Sequence, residues 1–466
     1  MASTFVPGLC DVLALLAAIT ATEAPRPGHV AERVRCHDRP SFSYALYLPS
    51  RPPTGRKIPL LVLLDARGRA LVPLSLFLPA AEERNWALAS AWDSRSDADP
   101  GPTTEAWEAI RRDAIERFDV DERRIYVAGF SGTARLATLL GLTSPRPPAG
   151  VIACGAGFAE GFPPKKEIPF PWFGTAGNRD FNHDEMLEIA ASLEALGIPH
   201  RLVVFDGGHE WAPPHLAADA LHWVELQAIR RGLAPMDSRL VAQMAATGSA
   251  EARRDEATGD VLAALRRWDG LARDFSGVSD IGPFEREAAR LKGSLTVRRQ
   301  ESAEGEKLEE RRRTIPDWAR KLRRALAAPT PYPVEKLVSE LGVQKLQKKA
   351  NSKRDRDEAL AAERLLSALL VQTSFYLPQE RRSAGDFRGA ALVLGVAEAI
   401  RPGDPEVLYA LASARAQAGE DGAAIEALRK AVAAGFCDQR RLETDPDLVP
   451  LRWNPAFAGL LETVLH

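Results

Sequence analysis

The chain has 466 residues, with 61 Lys and Arg against 63 Asp and Glu, so its formal net charge is −2. This balance argues against electrostatic capture of nucleic acid, and four cysteines are too few for a disulfide framework. No stretch is apolar for the ~20 residues that a membrane span needs, and the length predicts about three domains.

The N-terminal segment, residues 1–24, has the pattern of a secretory signal. An apolar run, Val12–Ile19, is followed by the small-residue stretch Ala21–Ala24. However, no Lys or Arg precedes the run, and Asp11 lies at its start. We nevertheless expect export to the periplasm or medium, on the strength of the apolar run and the small residues after it. The alternative is a buried or amphipathic N-terminal helix in a cytoplasmic protein.

Residues 25–234 alternate between strand-like and helix-like segments. Strands are predicted at Leu60–Leu64, Trp86–Ala91 and Val151–Cys154, and helices at Thr103–Phe118, Asp184–Leu196 and Leu216–Ile229. Strands joined by crossover helices imply a mainly parallel sheet with helices on both faces. Active sites in such sheets gather at the C-terminal ends of the strands.

A candidate nucleophile lies in the segment Val127–Thr133. The apolar strand before it turns through Gly129-Phe130-Ser131-Gly132 into residues with helical spacing. A serine at so tight a junction exposes its hydroxyl, and the amide of Gly132 is placed to stabilise a negative oxygen. The usual pattern has a second glycine at position 133; Thr133, which is β-branched, is expected to crowd the junction.

Two later residues complete a catalytic triad in the chain order of the α/β hydrolases. Asp180 follows the apolar strand that begins at Trp172, and His209 follows the strand Leu202–Phe205 and a glycine pair. A serine needs an imidazole base, which in turn needs a carboxylate to fix its tautomer. The alternative is structural: Ser131 and Asp180 would be helix caps, and the glycine pair a simple turn.

Residues 40–230 resemble bacterial α/β hydrolases of the poly(3-hydroxybutyrate) depolymerase and feruloyl esterase type. The segments that carry the resemblance are Tyr44–Pro49, Pro59–Asp65, Gly129–Gly132, the Asp180 loop and Gly208–Trp211. The resemblance implies ester hydrolysis through an acyl-enzyme, with no metal or organic cofactor. It does not identify the acid or the alcohol of the ester.

The loop after the strand Leu60–Leu64 departs from that family's pattern. Such hydrolases commonly have His-Gly here and use one of its amides for the oxyanion hole, whereas this chain has Asp65-Ala66-Arg67-Gly68. A backbone amide can act whatever its side chain, so Ala66 or Arg67 is the second candidate donor beside Gly132.

Other side chains near the predicted site have competing interpretations. Trp92, Trp172 and Trp211 would line a pocket for an apolar or aromatic acyl group, or belong to the ordinary core. We do not expect a metal at His183-Asp184-Glu185, because successive helix residues point in different directions.

Beyond about Gly232 the sequence predicts helices alone. Residues 235–375 are predicted to form a helical connecting region. Its charged runs Glu301–Arg313 and Gln347–Asp357 are interpreted as solvated helix faces or exposed connections. Residues 376–466 contain a repeat, because Gly385–Leu392 is echoed 34 residues later by Gly419–Glu426. That period is the tetratricopeptide one, and stacked helices of this kind suit a protein partner.

Three functions are consistent with these patterns. The first, which we favour, is a serine esterase acting on a small or polymeric ester, with a helical tail that recruits a partner or positions the enzyme. The second is a catalytically silent hydrolase fold that serves as a protein-interaction module. The third is a serine peptidase, since acyl transfer to water uses the same triad.

Overall fold

The computed structural model describes residues 25–52, 55–96 and 99–464. The proposed signal segment, 1–24, therefore lies outside the described residues. Two compact units are distinguished. The first contains the described residues through Ala176, with Glu185–Phe205 and Glu210–Lys292; the second contains Gly177–Asp184, Asp206–His209 and the chain from Gly293 onward.

The first unit is built on an eight-stranded sheet. Its strands are β1 (Val30–Arg35), β2 (Ser43–Tyr47), β3 (Ile58–Leu64), β4 (Ala87–Ala91), β5 (Val120–Phe130), β6 (Val151–Cys154), β7 (Trp172–Gly177) and β8 (His200–Phe205). They lie in the order β1-β2-β4-β3-β5-β6-β7-β8. The five strands from β4 to β7 in this order pair in parallel, whereas β2 is antiparallel to both of its neighbours.

Helices cover both faces of this sheet. They are α1 (Leu71–Arg84), α2 (Pro100–Arg117), α3 (Gly132–Thr143), α4 (His183–Ala195) and α5 (Pro214–Arg230). Strand β3 is buried on both sides: Leu60 and Val62 pack in one core with α2, α3 and α4, while Leu61 and Leu63 pack in the other with α1 and α5. Burial on both faces explains why the strand is apolar throughout rather than alternating.

The remaining chain is helical. The first unit continues with α6 (Ser238–Ala257), α7 (Val261–Phe275) and α8 (Gly282–Lys292). The second unit contains α9 (Leu295–Leu326), α10 (Val334–Leu341), α11 (Val343–Ala350), α12 (Arg356–Val371), a π-helical turn (Gln372–Tyr376), α13 (Leu377–Ser383), α14 (Phe387–Ile400), α15 (Pro405–Gln417), α16 (Asp421–Ala433), α17 (Gln439–Thr444), a 3₁₀ turn (Pro446–Leu451) and α18 (Pro455–Val464).

Short polar side chains set the starts of many of these helices. Asp260, Ser294, Asp355 and Asp386 each accept a hydrogen bond from the backbone amide three residues later, which pairs an amide that the helix itself cannot satisfy. The predicted fold class, an α/β-hydrolase sheet followed by an all-helical region, is confirmed. In the part of the chain that the structure describes, no helix is long and apolar enough to cross a membrane.

Candidate active site

Ser131 occupies a strained turn between β5 and α3. Its backbone has φ 57° and ψ −126°, and its amide donates to the Cys154 carbonyl at 2.9 Å. Among the described residues only Asn85 is also a non-glycine with positive φ, and Asn85 has the ordinary left-handed geometry of a helix end. A β-carbon-bearing residue at positive φ is disfavoured. Such strain marks a turn whose shape serves the side chain that it displays.

Thr133 does not crowd this turn, so that prediction is wrong. The close approach of the helix backbone to the strand depends on Gly129, where an added Cβ would lie only 2.2 Å from the Thr133 carbonyl oxygen. The fully buried Thr133 hydroxyl donates to the Leu64 carbonyl at 2.5 Å and accepts from the Phe130 amide at 3.0 Å. The threonine thus joins the end of β5 to the end of β3.

Gly132, the first residue of α3, is a candidate oxyanion-hole donor. The first amides of a helix have no partner within the helix and carry the positive end of its dipole. An added Cβ at Gly132 would lie 2.5 Å from the Ser96 Cβ, so a larger residue would be displaced. The position therefore places a helix-start amide directly after Ser131 and has no room for a side chain of its own.

The loop after β3 is organised by the buried carboxylate of Asp65. It accepts hydrogen bonds from the amides of Arg67 and Arg69, from the Arg69 guanidinium and, at 2.8 Å, from the indole Nε1 of Trp211. Burial opposes ionisation, but the bonds from Arg69 and Trp211 outweigh it and lower the pKa of Asp65. Because the Arg67 amide is already engaged, Ala66 becomes the stronger of the two candidate donors in this loop.

Asp180 and His209 are in direct contact. The His209 Nδ1 atom lies 2.9 and 3.0 Å from the two carboxylate oxygens of Asp180, which is fully buried. An ionised carboxylate only accepts hydrogen bonds, so Nδ1 carries the proton and Nε2 is the basic nitrogen. Oδ1 of Asp180 also accepts from the Asn182 amide at 2.8 Å, and the Phe181 ring packs on the imidazole with centroids 4.3 Å apart.

The loops that carry these two residues are joined to each other. The amide of Arg179 donates to the Gly207 carbonyl at 2.9 Å, and its guanidinium to Asp206 at 2.6 Å. Asn178 donates to the same carboxylate at 3.1 Å and accepts from the Gly207 amide. These bonds fix the spacing of the acid and histidine loops, and with it the spacing of Asp180 and His209.

The three tryptophans have different surroundings. Trp172 is fully buried and packs on Phe158, so it belongs to the ordinary core rather than to a pocket, one of the two interpretations given above. Trp92 donates to the Glu32 carbonyl and lies under the Arg33 guanidinium. Trp211 is the one bonded to Asp65, the residue that orders the loop of Ala66.

Several residues of the site were not identified from sequence. Asp65 was noted only as a departure from a family pattern, and Arg311 was assigned to a solvated face. The Arg311 side chain is only 17% exposed and pairs with Asp184 at 2.9 Å, so that interpretation is wrong for this residue. Its partner lies 127 positions away along the chain, and no local pattern encodes such a pairing. Among the described residues no cluster of three His, Cys, Asp or Glu side chains could hold a metal ion.

Comparison with known proteins gives structural likenesses at low identity. An S-formylglutathione hydrolase from Staphylococcus aureus is 15% identical over 43% of this chain and 99% of its own, with a TM-score of 0.35. A feruloyl esterase module from Clostridium thermocellum is 14% identical over 42% of this chain and 88% of its own, with a TM-score of 0.36. An esterase from Pyrobaculum calidifontis is 14% identical over 47% of this chain and 92% of its own, with a TM-score of 0.35. No family model and no curated protein matches the chain.

Proposed function

We propose that this protein is a serine hydrolase that cleaves carboxylic esters through an acyl-enzyme. The observation that carries the proposal is the backbone of Ser131, a non-glycine residue at φ 57° between a strand and a helix. Such strain costs of the order of 1–3 kcal/mol. A serine is tolerated there when its hydroxyl has a use, and nucleophilic attack is the use for which this turn is known.

The proposed triad is Ser131, His209 and Asp180. Each follows the end of its strand by no more than four residues, after β5, β8 and β7 respectively. The bond between the Nδ1 proton of His209 and Asp180 supports the role of Nε2 as the base. In the first step Oγ of Ser131 attacks the ester carbonyl carbon while its proton passes to Nε2.

The tetrahedral intermediate then collapses in the direction that breaks the ester. The oxyanion accepts hydrogen bonds from the amides of Gly132 and, by this proposal, Ala66. The proton on Nε2 passes to the leaving alcohol, and the acyl group stays on Ser131. Water repeats the sequence, with His209 again as base, and releases the carboxylic acid.

The test is labelling by a fluorophosphonate, which needs an activated serine but no knowledge of the natural substrate. Wild type should be labelled, whereas Ser131→Ala and His209→Ala should not, although both should keep the wild-type circular dichroism. Hydrolysis of p-nitrophenyl esters should fall by ~10³-fold or more in both variants. A folded wild type that resists the probe would support the silent-scaffold alternative, and cleavage of amides in preference to esters would support the peptidase.

We also propose that residues 376–466 bind a protein partner and that the chain is exported. The equivalent helices α14 and α16 begin at Phe387 and Asp421, 34 residues apart, which supports a tetratricopeptide-like repeat. Mass spectrometry of the N-terminus of protein isolated from the native host would test export, since removal of 1–24 is expected.

A further inference from the structure

The loop that carries Asp180 is held by two arginines from the helical part of the second unit. Arg311, on α9, donates to Asp184 at 2.9 Å and to the Phe181 carbonyl at 2.7 Å. Arg364, on α12, donates to the Asn178 carbonyl at 3.1 Å, and its Nε lies 3.5 Å from Asp184. The two guanidinium groups therefore contact the loop before, beside and after Asp180.

These contacts bear on the direction of the Asp180 carboxylate. The Asp180 side chain is fully buried and accepts hydrogen bonds from the Asn182 amide and from Nδ1 of His209. A displacement of the loop backbone would therefore move the carboxylate with it. The carbonyl that Arg311 binds belongs to Phe181, the next residue, whose ring also packs on the His209 imidazole. A shift of Phe181 would move both members of the pair.

The ion pairs of Asp184 with Arg311 and Arg364 are largely shielded from water, which strengthens the attraction between their charges. The side chains of Arg311, Arg364 and Asp184 are only 17%, 13% and 16% exposed. Burial by itself would raise the pKa of Asp184, but the hydrogen bond from His183 and the charges of Arg364 and Arg311 outweigh it and lower the pKa to about 2. The carboxylate is thus ionised throughout the neutral range, and both ion pairs persist.

We propose that Arg311 and Arg364 are positioning residues for hydrolysis: the helical region orients the Asp180–His209 pair through them. This inference rests on the proposed function, in which that pair activates Ser131. It gives the helices after Lys292 a role in the chemistry that is separate from any binding of a partner. Because both arginines act through the loop that carries Asp180, their loss should lower kcat and leave KM nearly unchanged.

The experiment uses the full chain with the variants Arg311→Ala, Arg364→Ala and the double variant. With a p-nitrophenyl ester, kcat and the rate of fluorophosphonate labelling should fall by about tenfold in each single variant and by roughly 10²-fold in the double variant. A matched control is Arg313→Ala on the same helix, because Arg313 is 78% exposed and pairs with Glu309 one turn away. It should behave as wild type.

A proton NMR signal separates this inference from the proposed function. The Nδ1 proton between His209 and Asp180 should give a low-field resonance, assigned by its loss in His209→Ala, in wild type and Arg313→Ala. It should broaden or disappear in the arginine variants, whether or not the wild type hydrolyses an ester. Should an alanine variant fail to fold, Arg311→Lys, which keeps the charge but cannot bind both groups at once, is measured instead. A kcat within twofold of wild type with the resonance intact would overturn the inference.

Discussion

The close approach of the acid and histidine loops leads to a sharp prediction for Gly177→Ala. An added Cβ at Gly177 would lie 2.2 Å from the carbonyl oxygen of Gly208 and 2.4 Å from that of Gly207, whereas ordinary contact begins at 3.4 Å. The two loops must therefore separate by about 1.2 Å, the difference between 3.4 and 2.2 Å. The bond between His209 and Asp180 is only 2.9 Å long and would be broken by such a shift.

A displacement of ~1 Å in a catalytic group can cost about 10²-fold in rate, so kcat of Gly177→Ala should fall by about that factor. The assay is ester hydrolysis and fluorophosphonate labelling, beside thermal unfolding of the same samples. Gly208→Ala is the matched control: it adds the same methyl group next to His209, but nothing lies within 4 Å of the new Cβ. Gly177→Ala with the kinetics of Gly208→Ala would refute the reasoning.

Three further outcomes are expected. Thr133→Val should lower the free energy of unfolding by about 1–3 kcal/mol, because the buried Phe130 amide loses its acceptor, whereas Thr133→Ser should retain most of the stability in the same denaturant titration. The shift in the pKa of Asp184 from 3.8 to about 2 corresponds to about 2 kcal/mol of folding stability. Because the pKa is lower in the folded state, the difference in unfolding free energy between wild type and Asp184→Asn should be constant above pH 3.8. It should shrink as the pH falls through about 2. A gap that widens in acid would contradict the assigned ion pairs. Trp211→Phe removes the 2.8 Å bond to Asp65 and should lower kcat by ~10-fold through the adjoining loop; unchanged kinetics would separate Asp65 from the oxyanion hole.

Local sequence patterns were enough for several elements of the first unit, although β1 (Val30–Arg35) and α1 (Leu71–Arg84) were not predicted. The strand expected at Trp86–Ala91 is found at Ala87–Ala91, and the helix expected at Thr103–Phe118 begins three residues earlier, at Pro100. Such elements are encoded by hydrophobic periodicity within a short window. Chain order alone also singled out Asp180 and His209, which the structure brings within 2.9 Å of each other.

The supports of the site could not be predicted in this way. Thr133 was expected to crowd the turn because the motif does not show that its hydroxyl bonds to the Leu64 carbonyl and the Phe130 amide. Arg311 and Arg364 lie in charged amphipathic helices, where most such residues are solvated. Their partners are 127 and 186 positions distant, and a single sequence carries no signal for pairings of that range.

The backbone of Ser131 also sets a stability cost that the chain could remove by one substitution. Glycine reaches positive φ freely, so Ser131→Gly would release strain of roughly 1–3 kcal/mol, less the ~0.5–1 kcal/mol by which glycine favours the unfolded chain. A sheet that served only as a scaffold would have nothing to lose by this exchange. Under the proposed function, the strained serine lowers the stability of the fold in exchange for a reactive hydroxyl. A glycine variant that melts at a higher temperature than the wild type would measure that cost.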